Sequence, residues 1–130
     1  MTCVVNVMAP DGNVTQARAL LDCAASTSLV TERLVQQLRL PRHSTNFTIN
    51  GVAGVSVRPR GTVNFKIAGV RSGGKQIEVE ASVLPKVTTD LPTIPVASVT
   101  SWKHLSGLEL ADPDYGTPAR VDILLGGTVF

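Results

Sequence analysis

Aromatic side chains are scarce in this chain. Three Phe, one Trp and one Tyr make up 4% of 130 residues, of which 43% are hydrophobic. Its core must therefore be aliphatic, and the length suits a single domain spanning 1–130 rather than two. Histidine is scarcer still, with only His43 and His104. Neither lies in a nucleophile motif, so Ser-His-Asp catalysis lacks its base. No Cys/His cluster has metal-ligand spacing, and no metal is expected. There are two cysteines, Cys3 and Cys23. Without secretion signals they read as reduced thiols of an intracellular protein rather than as a disulfide. Nothing beside Cys23 in the sequence would activate it as a nucleophile.

Charge of one sign is missing too. The net charge is +2 with acids and bases interspersed, and no basic tract or aromatic-basic patch stands out. Nucleic acid is therefore not an expected partner of this domain. A Gly-rich phosphate loop with its lysine is absent, and no cofactor is expected. No apolar run is long enough for a membrane span. The opening "MTCVVNVMAPDG" has no basic n-region and too short an apolar run for a signal peptide. Internal repeats and low-complexity segments are absent as well.

What is present favours strands and turns: abundant Val and Thr, with Gly and Pro scattered throughout. Residues 3–8 and 14–21 read as a hairpin joined by the Pro-Asp-Gly turn of "APDGN". Ser28-Leu29-Val30 continues as a short strand. Thr31 then suits an N-cap, with Glu32 in the first turn and Leu34, Val35 and Leu38 at helical spacing. This predicts one short helix over Glu32 to Leu38, stopped at Pro41 by "RLPR". In "FTINGVAGVSVRPRGTVNFKI", residues 47–67, two β-rich arms flank a small-residue tip, Gly51-Val52-Ala53-Gly54, suited to a mobile hairpin. "KQIEVEASVLP" alternates as a strand. Residues 86–120 carry four prolines and the only Trp and Tyr, and read as a long ordered excursion with one helical turn. "VDILLGGTVF" is an apolar strand running into Gly126-Gly127. Both ends look cut, as in a piece excised from a longer polypeptide and truncated at its C-terminus.

The chemical puzzle lies in "ARALLDCAASTSLVTERLVQQLRL", residues 17–40. An apolar run, Ala19-Leu20-Leu21, delivers Asp22 into small residues, Cys23, Ala24, Ala25 and Ser26. Such a carboxylate is either a solvated strand end or a group held in a partly dry place. A carboxylate at a strand end, a Gly-tipped hairpin and a late apolar-apolar-Gly (Leu124, Leu125, Gly126) follow the order of parts in a retropepsin-type aspartic peptidase. That chemistry needs two aspartates sharing a proton. Asp11, Asp90, Asp112, Asp114 and Asp122 lack the apolar lead-in followed by small residues. The second aspartate must then come from another copy, which implies a homodimer.

At this point the sequence resembles the retropepsin-like domain of Pao/BEL-type retrotransposon polyproteins over essentially its whole length. "ARALLDCAASTSLVTERLVQQLRLP" is similar to the family's "RALLDSGS…SFITE…LAQRLGLP", and "INGVAG" to its "I-x-G-[IV]-x-G" flap. "LP" at 84–85, "W-x-H-L" at 102–105, "LADP" at 110–113 and "VDILLGG" at 121–127 recur in the same order. The resemblance implies a mostly β, closed-barrel fold with a flap hairpin over a dimeric active site. It implies Asp22 as the catalytic aspartate, and Gly51, Val52, Ala53 and Gly54 as the flap tip. It further implies cleavage of a polyprotein substrate in the cytoplasm or in virus-like particles. Asp22-Cys23-Ala24 stands where the family has Asp-Ser-Gly or Asp-Thr-Gly. That difference leaves a second expectation, a module that keeps the fold for dimerisation or binding without catalysis.

Overall fold

The computed structural model describes residues 1–71, 74–96 and 102–129, with the side chain of residue 52 left aside. Strand β1 (Thr2–Met8) turns back through Pro10-Asp11-Gly12 into β2 (Val14–Leu21), in register from Thr2 opposite Leu20 to Met8 opposite Val14. The turn works because Gly12 takes φ +91° and the Asp11 carboxylate accepts the Asn13 backbone N–H at 2.9 Å. Strand β3 (Ser28–Thr31) and helix α1 (Glu32–Leu38) follow, then the two-residue strand β4 (Arg42–His43). β5 (Ile49–Asn50) and β6 (Ser56–Val57) form a separate small hairpin. β7 (Thr62–Gly69), β8 (Ile77–Leu84) and β9 (Ile123–Leu125) complete the set.

The main sheet runs β1-β2-β9-β3-β8-β7, and β1 also pairs with β7, so six strands close into a barrel with β4 appended to β7. Closure removes the open edges that would otherwise invite aggregation. The inside is aliphatic as composition demands: Val5, Val7, Ala17, Ala19, Val30, Val63, Ile67, Val79, Ala81, Val83, Ile123 and Leu125 are buried, with Phe65 the one aromatic. β7 shows the cause directly, because Val63, Phe65 and Ile67 alternate inward against Asn64 and Lys66.

Helix α1 has the expected bounds. The Thr31 hydroxyl caps it by accepting the Leu34 N–H at 3.4 Å, and Leu34, Val35 and Leu38 are its buried face. The stop comes earlier than Pro41. Arg39 adopts a left-handed conformation (φ 51°), and its N–H bonds back to Gln36 O. Glu32 does more than favour the dipole. Its carboxylate pairs with Arg42, accepts from Gln36 at 3.1 Å and lies 3.6 Å from Arg60, tying the helix to β4 and to the approach to β7.

The bond from Arg42, reinforced by its charge, holds the Glu32 carboxyl below the ordinary value of 4.5. A depressed folded-state pKa stabilises the fold above the unfolded value, and that stabilisation is lost as pH falls through the folded one. The stability gap between the parent and Glu32→Gln should therefore be full at neutral pH and shrink as pH drops below about 4.5, read by urea unfolding across pH. A gap that widens on acidification would contradict it.

The hairpin expectation needs one correction. Only Ile49–Val57 and Asn50–Ser56 pair, and the chain beyond Pro59 leaves to join the barrel as β7. The excursion, in contrast, is an ordered cover over the outer face of β1 and β2 in its described parts, with a single 3₁₀ turn at Lys103–Leu105. Val4 donates to Ala111 O at 2.8 Å, and Leu91 and Ala119 exchange two backbone bonds of 3.0 Å. Residues 97–101 of the excursion lie outside the described residues. No helix among the described residues is long and apolar enough to cross a membrane.

Candidate active site

Asp22 is the first residue past β2, and the strand delivers it to one particular side. Ala17 and Ala19 are core residues and Leu21 packs against the core, whereas Arg18 and Leu20 face outward. The Asp22 N–H still bonds to Leu125 O at 3.0 Å, one step beyond the parallel pairing of Leu21 with Leu125. Alternation therefore places the Asp22 carboxylate on the outer side with Leu20. It is half-buried, and its Oδ1 accepts the Ala24 N–H at 3.0 Å. The apolar strand thus ends on a charge that is neither fully solvated nor sealed away.

The late apolar-Gly stretch cradles this loop. A Cβ on Gly126 would stand 2.8 Å from the Thr27 carbonyl carbon and 2.9 Å from Ala25 O, and one on Gly127 3.1 Å from Cys23 O. Only glycine allows that approach. Gly127 then donates to Ala25 O at 2.8 Å, and Gly126 to the buried Ser28 hydroxyl at 3.0 Å. Leu124 and Leu125 are buried beneath. So Asp22, Cys23, Ala24, Ala25 and Ser26 converge with Leu124, Leu125 and Gly126.

Cys23 is exposed and Ala24 is also on the surface. Ala24 does not take a positive φ, because Arg39 and Ala53 are the non-glycine residues that do. The Asp-Cys-Ala loop therefore carries no left-handed strain that a glycine would relieve. Both cysteines are free thiols; burial first, and then the charge of Asp112, raise the pKa of the Cys3 thiol.

The tip residues Gly51, Val52, Ala53 and Gly54 make a tight turn closed by Gly51 N–H to Val55 O at 2.7 Å. Ala53 (φ 62°) and Gly54 (φ 75°) are both left-handed. The tip belongs to the separate hairpin of β5 and β6, and the barrel ladder does not hold it.

Of the other aspartates, Asp90 and Asp114 are exposed, and three are engaged elsewhere. Asp112 is paired with Arg18 at 2.6 Å, both buried. Asp122 accepts the Thr31 hydroxyl at 2.8 Å and pairs with Arg33. Asp11 caps its own turn. Among the described residues no group of three His, Cys, Asp or Glu is placed to hold a metal ion.

Sequence reasoning missed Ser28, Thr31 and Asp122 as supports of the site. Asp122 had a signal, a charge inside the apolar run before the glycines, which in a buried strand demands a partner. Ser28 had none.

The family model described as aspartyl protease matches residues 5–129. The chain belongs to the aspartyl protease family. Comparison with curated proteins and with solved structures gave no match. The six-stranded closed barrel with one short helix agrees with the retropepsin-like form of such proteases.

Proposed function

We propose that this chain is an aspartic endopeptidase domain whose active site forms between two copies, each supplying Asp22. The observation that carries the reading is the state of the aspartates. Asp22 alone combines a strand-end position, half-burial and a backbone cradle, while Asp112 and Asp122 are spent in ion pairs within the fold. One chain thus offers half of a dyad, and a twofold axis supplies the rest.

Two carboxylates held close share one proton, because like charges at short range cannot both ionise. The ionised one takes a proton from water as its oxygen attacks the peptide carbonyl carbon. The protonated one gives its proton to the carbonyl oxygen. Collapse of the resulting diol breaks the C–N bond, and a proton passes to the leaving amine. The hairpin carrying Gly51 to Gly54 lies over the substrate. The motif order further assigns the domain to a Pao/BEL-type retrotransposon polyprotein, which it would process in the cytoplasm or in virus-like particles.

The test joins activity to association. Peptide hydrolysis should rise more steeply than first order in protein at low concentration. It should follow a bell in pH whose two limbs belong to the dyad as a pair. Strictly linear activity from a monomer confirmed by sedimentation would contradict the dimeric site. A dimer without hydrolysis would instead favour a fold kept for dimerisation or binding.

A further inference from the structure

Asp22 is anchored by a peptide group that is itself bonded at both ends. The carbonyl of the Leu125–Gly126 peptide accepts the Asp22 N–H at 3.0 Å, and the N–H of that same peptide donates to the Ser28 hydroxyl at 3.0 Å. The loop from Asp22 to Ser28 is thus closed by one rigid plane. Ser28 is 1% exposed and Leu125 2%, which leaves water little access to it. The register explains why a side chain is used here. β3 and β9 pair antiparallel at Leu29–Leu124 and Val30–Ile123, and the ladder ends there. Past that end the Gly126 N–H is met by the Ser28 hydroxyl instead of a backbone carbonyl.

We infer that Ser28 is a positioning residue of the proposed peptidase: it fixes the Leu125–Gly126 peptide and, through it, the place of Asp22. The inference rests on the peptidase reading for its effect on turnover, and on the hydrogen bonds alone for its effect on Asp22. A peptide bonded at both ends is polarised, so each bond strengthens the other. Without the hydroxyl the plane is free to tilt, and the carbonyl that anchors Asp22 tilts with it. Gly126, lacking a Cβ, adds little resistance of its own. The Asp22 carboxylate keeps its bond from the Ala24 N–H, so it shifts together with the loop. In a dyad made by two copies one substitution loosens both carboxylates, and a misplacement of about 1 Å can cost about 100-fold in rate. Ser28 is sealed from solvent and touches no substrate, so binding of the peptide is retained while turnover falls.

The experiment takes the peptide that the parent cuts fastest in a combinatorial library. It measures kcat and KM for the parent, Ser28→Ala, Ser28→Cys and Ser28→Thr where sedimentation shows a dimer. Alanine removes the acceptor, cysteine keeps the size with a much weaker one, and threonine keeps the hydroxyl and suits a strand. Ser28→Ala and Ser28→Cys should lower kcat about tenfold with KM within about twofold of the parent, while Ser28→Thr stays within about threefold in kcat. Val63→Ala controls for lost stability. It hollows a fully buried site on β7, which does not pair with β2, β3 or β9, and should keep the parental kcat below its melting point. Amide hydrogen exchange gives a readout without turnover. The Asp22 N–H should exchange about tenfold faster in Ser28→Ala than in Val63→Ala, although its own acceptor, Leu125 O, is unaltered.

A kcat within about threefold of the parent in folded, dimeric Ser28→Ala and Ser28→Cys overturns the inference. So does a loss carried by KM, or one that Ser28→Thr shares. If neither the alanine nor the cysteine variant folds, Ser28 is a structural residue and the inference is overturned as well. Cleavage of no library peptide by the parent removes the peptidase reading instead. The Asp22 exchange rate then decides the clamp by itself. Faster exchange in Ser28→Ala keeps Ser28 as the residue that places Asp22, and an unchanged rate removes it.

Discussion

Asp22→Asn is expected to lower peptide hydrolysis at least 1,000-fold, a loss of about 4 kcal/mol of transition-state stabilisation, while the unfolding midpoint stays where it was. The size follows from symmetry. In a homodimeric site one substitution replaces both carboxylates, so the base that takes a proton from water and the acid that protonates the carbonyl oxygen disappear together. Each such role is typically worth about 10²–10⁴ in rate. The unchanged stability follows from the geometry. The backbone N–H of residue 22 bonds to Leu125 O, and no side chain enters that bond. The carboxylate's intramolecular bond is the one it accepts from the Ala24 N–H, and an asparagine Oδ1 accepts it equally well. Turnover of a peptide substrate, measured beside thermal unfolding, checks both halves. A variant that keeps more than a tenth of the parent rate would exclude the dyad, and one that melts far lower would make Asp22 a structural group.

Much of the frame was legible because local rules and tertiary context agreed. Alternation and the Pro-Asp-Gly turn placed β1 and β2. Thr31, Glu32 and the Leu34-Val35-Leu38 spacing placed the helix with both its ends. The candidate stretch around Asp22 stands out for a different reason: a charge at the end of an apolar strand conflicts with its surroundings, and such conflicts are where sites are sought. What escaped depended on contacts far apart in sequence. The helix ends through a left-handed Arg39, and no spacing rule points to an arginine in that conformation. The second half of residues 47–67 reads as one arm of a hairpin, yet it pairs with β8 and β1, and strand pattern alone does not choose among partners. Residues 86–120 read as an ordered excursion with one helical turn, a structural cover, but the strands it covers do not follow from its pattern. Its organisation depends on Arg18, which reads in isolation as an ordinary outward charge on an alternating strand.

That arginine carries the largest stability prediction. Arg18→Met is expected to destabilise the domain by about 3–5 kcal/mol in urea unfolding, a large share of the roughly 5–15 kcal/mol that holds a domain of this kind. Arg18 and Asp112 are both buried and meet at 2.6 Å through Nε. The other guanidinium nitrogens spread over the cover: Nη1 reaches Leu91 O at 2.5 Å and Thr117 O and Ala119 O at 3.4 Å, and Nη2 reaches Asp114 O at 3.4 Å. Methionine fills the volume of the stem, so packing loss is a minor part. The major part is that Asp112 keeps its charge in a dry place with only the Thr2 hydroxyl and the Asp114 N–H to answer it, at 2.5 and 3.1 Å. This account has an internal check. Adding Asp112→Asn removes the stranded charge while its side-chain oxygen still accepts from Thr2 and Asp114. The double variant should therefore be more stable than Arg18→Met alone, though below the parent because the carbonyls of Leu91, Asp114, Thr117 and Ala119 lose their bonds from the guanidinium. Arg18→Lys should rescue only part of the loss, since one compact ammonium cannot reach acceptors arranged around a planar fork. A loss under about 1 kcal/mol for Arg18→Met would reduce the pair to the worth of a surface ion pair. The cover would then be held by its backbone bonds, Val4 to Ala111 and Leu91 to Ala119.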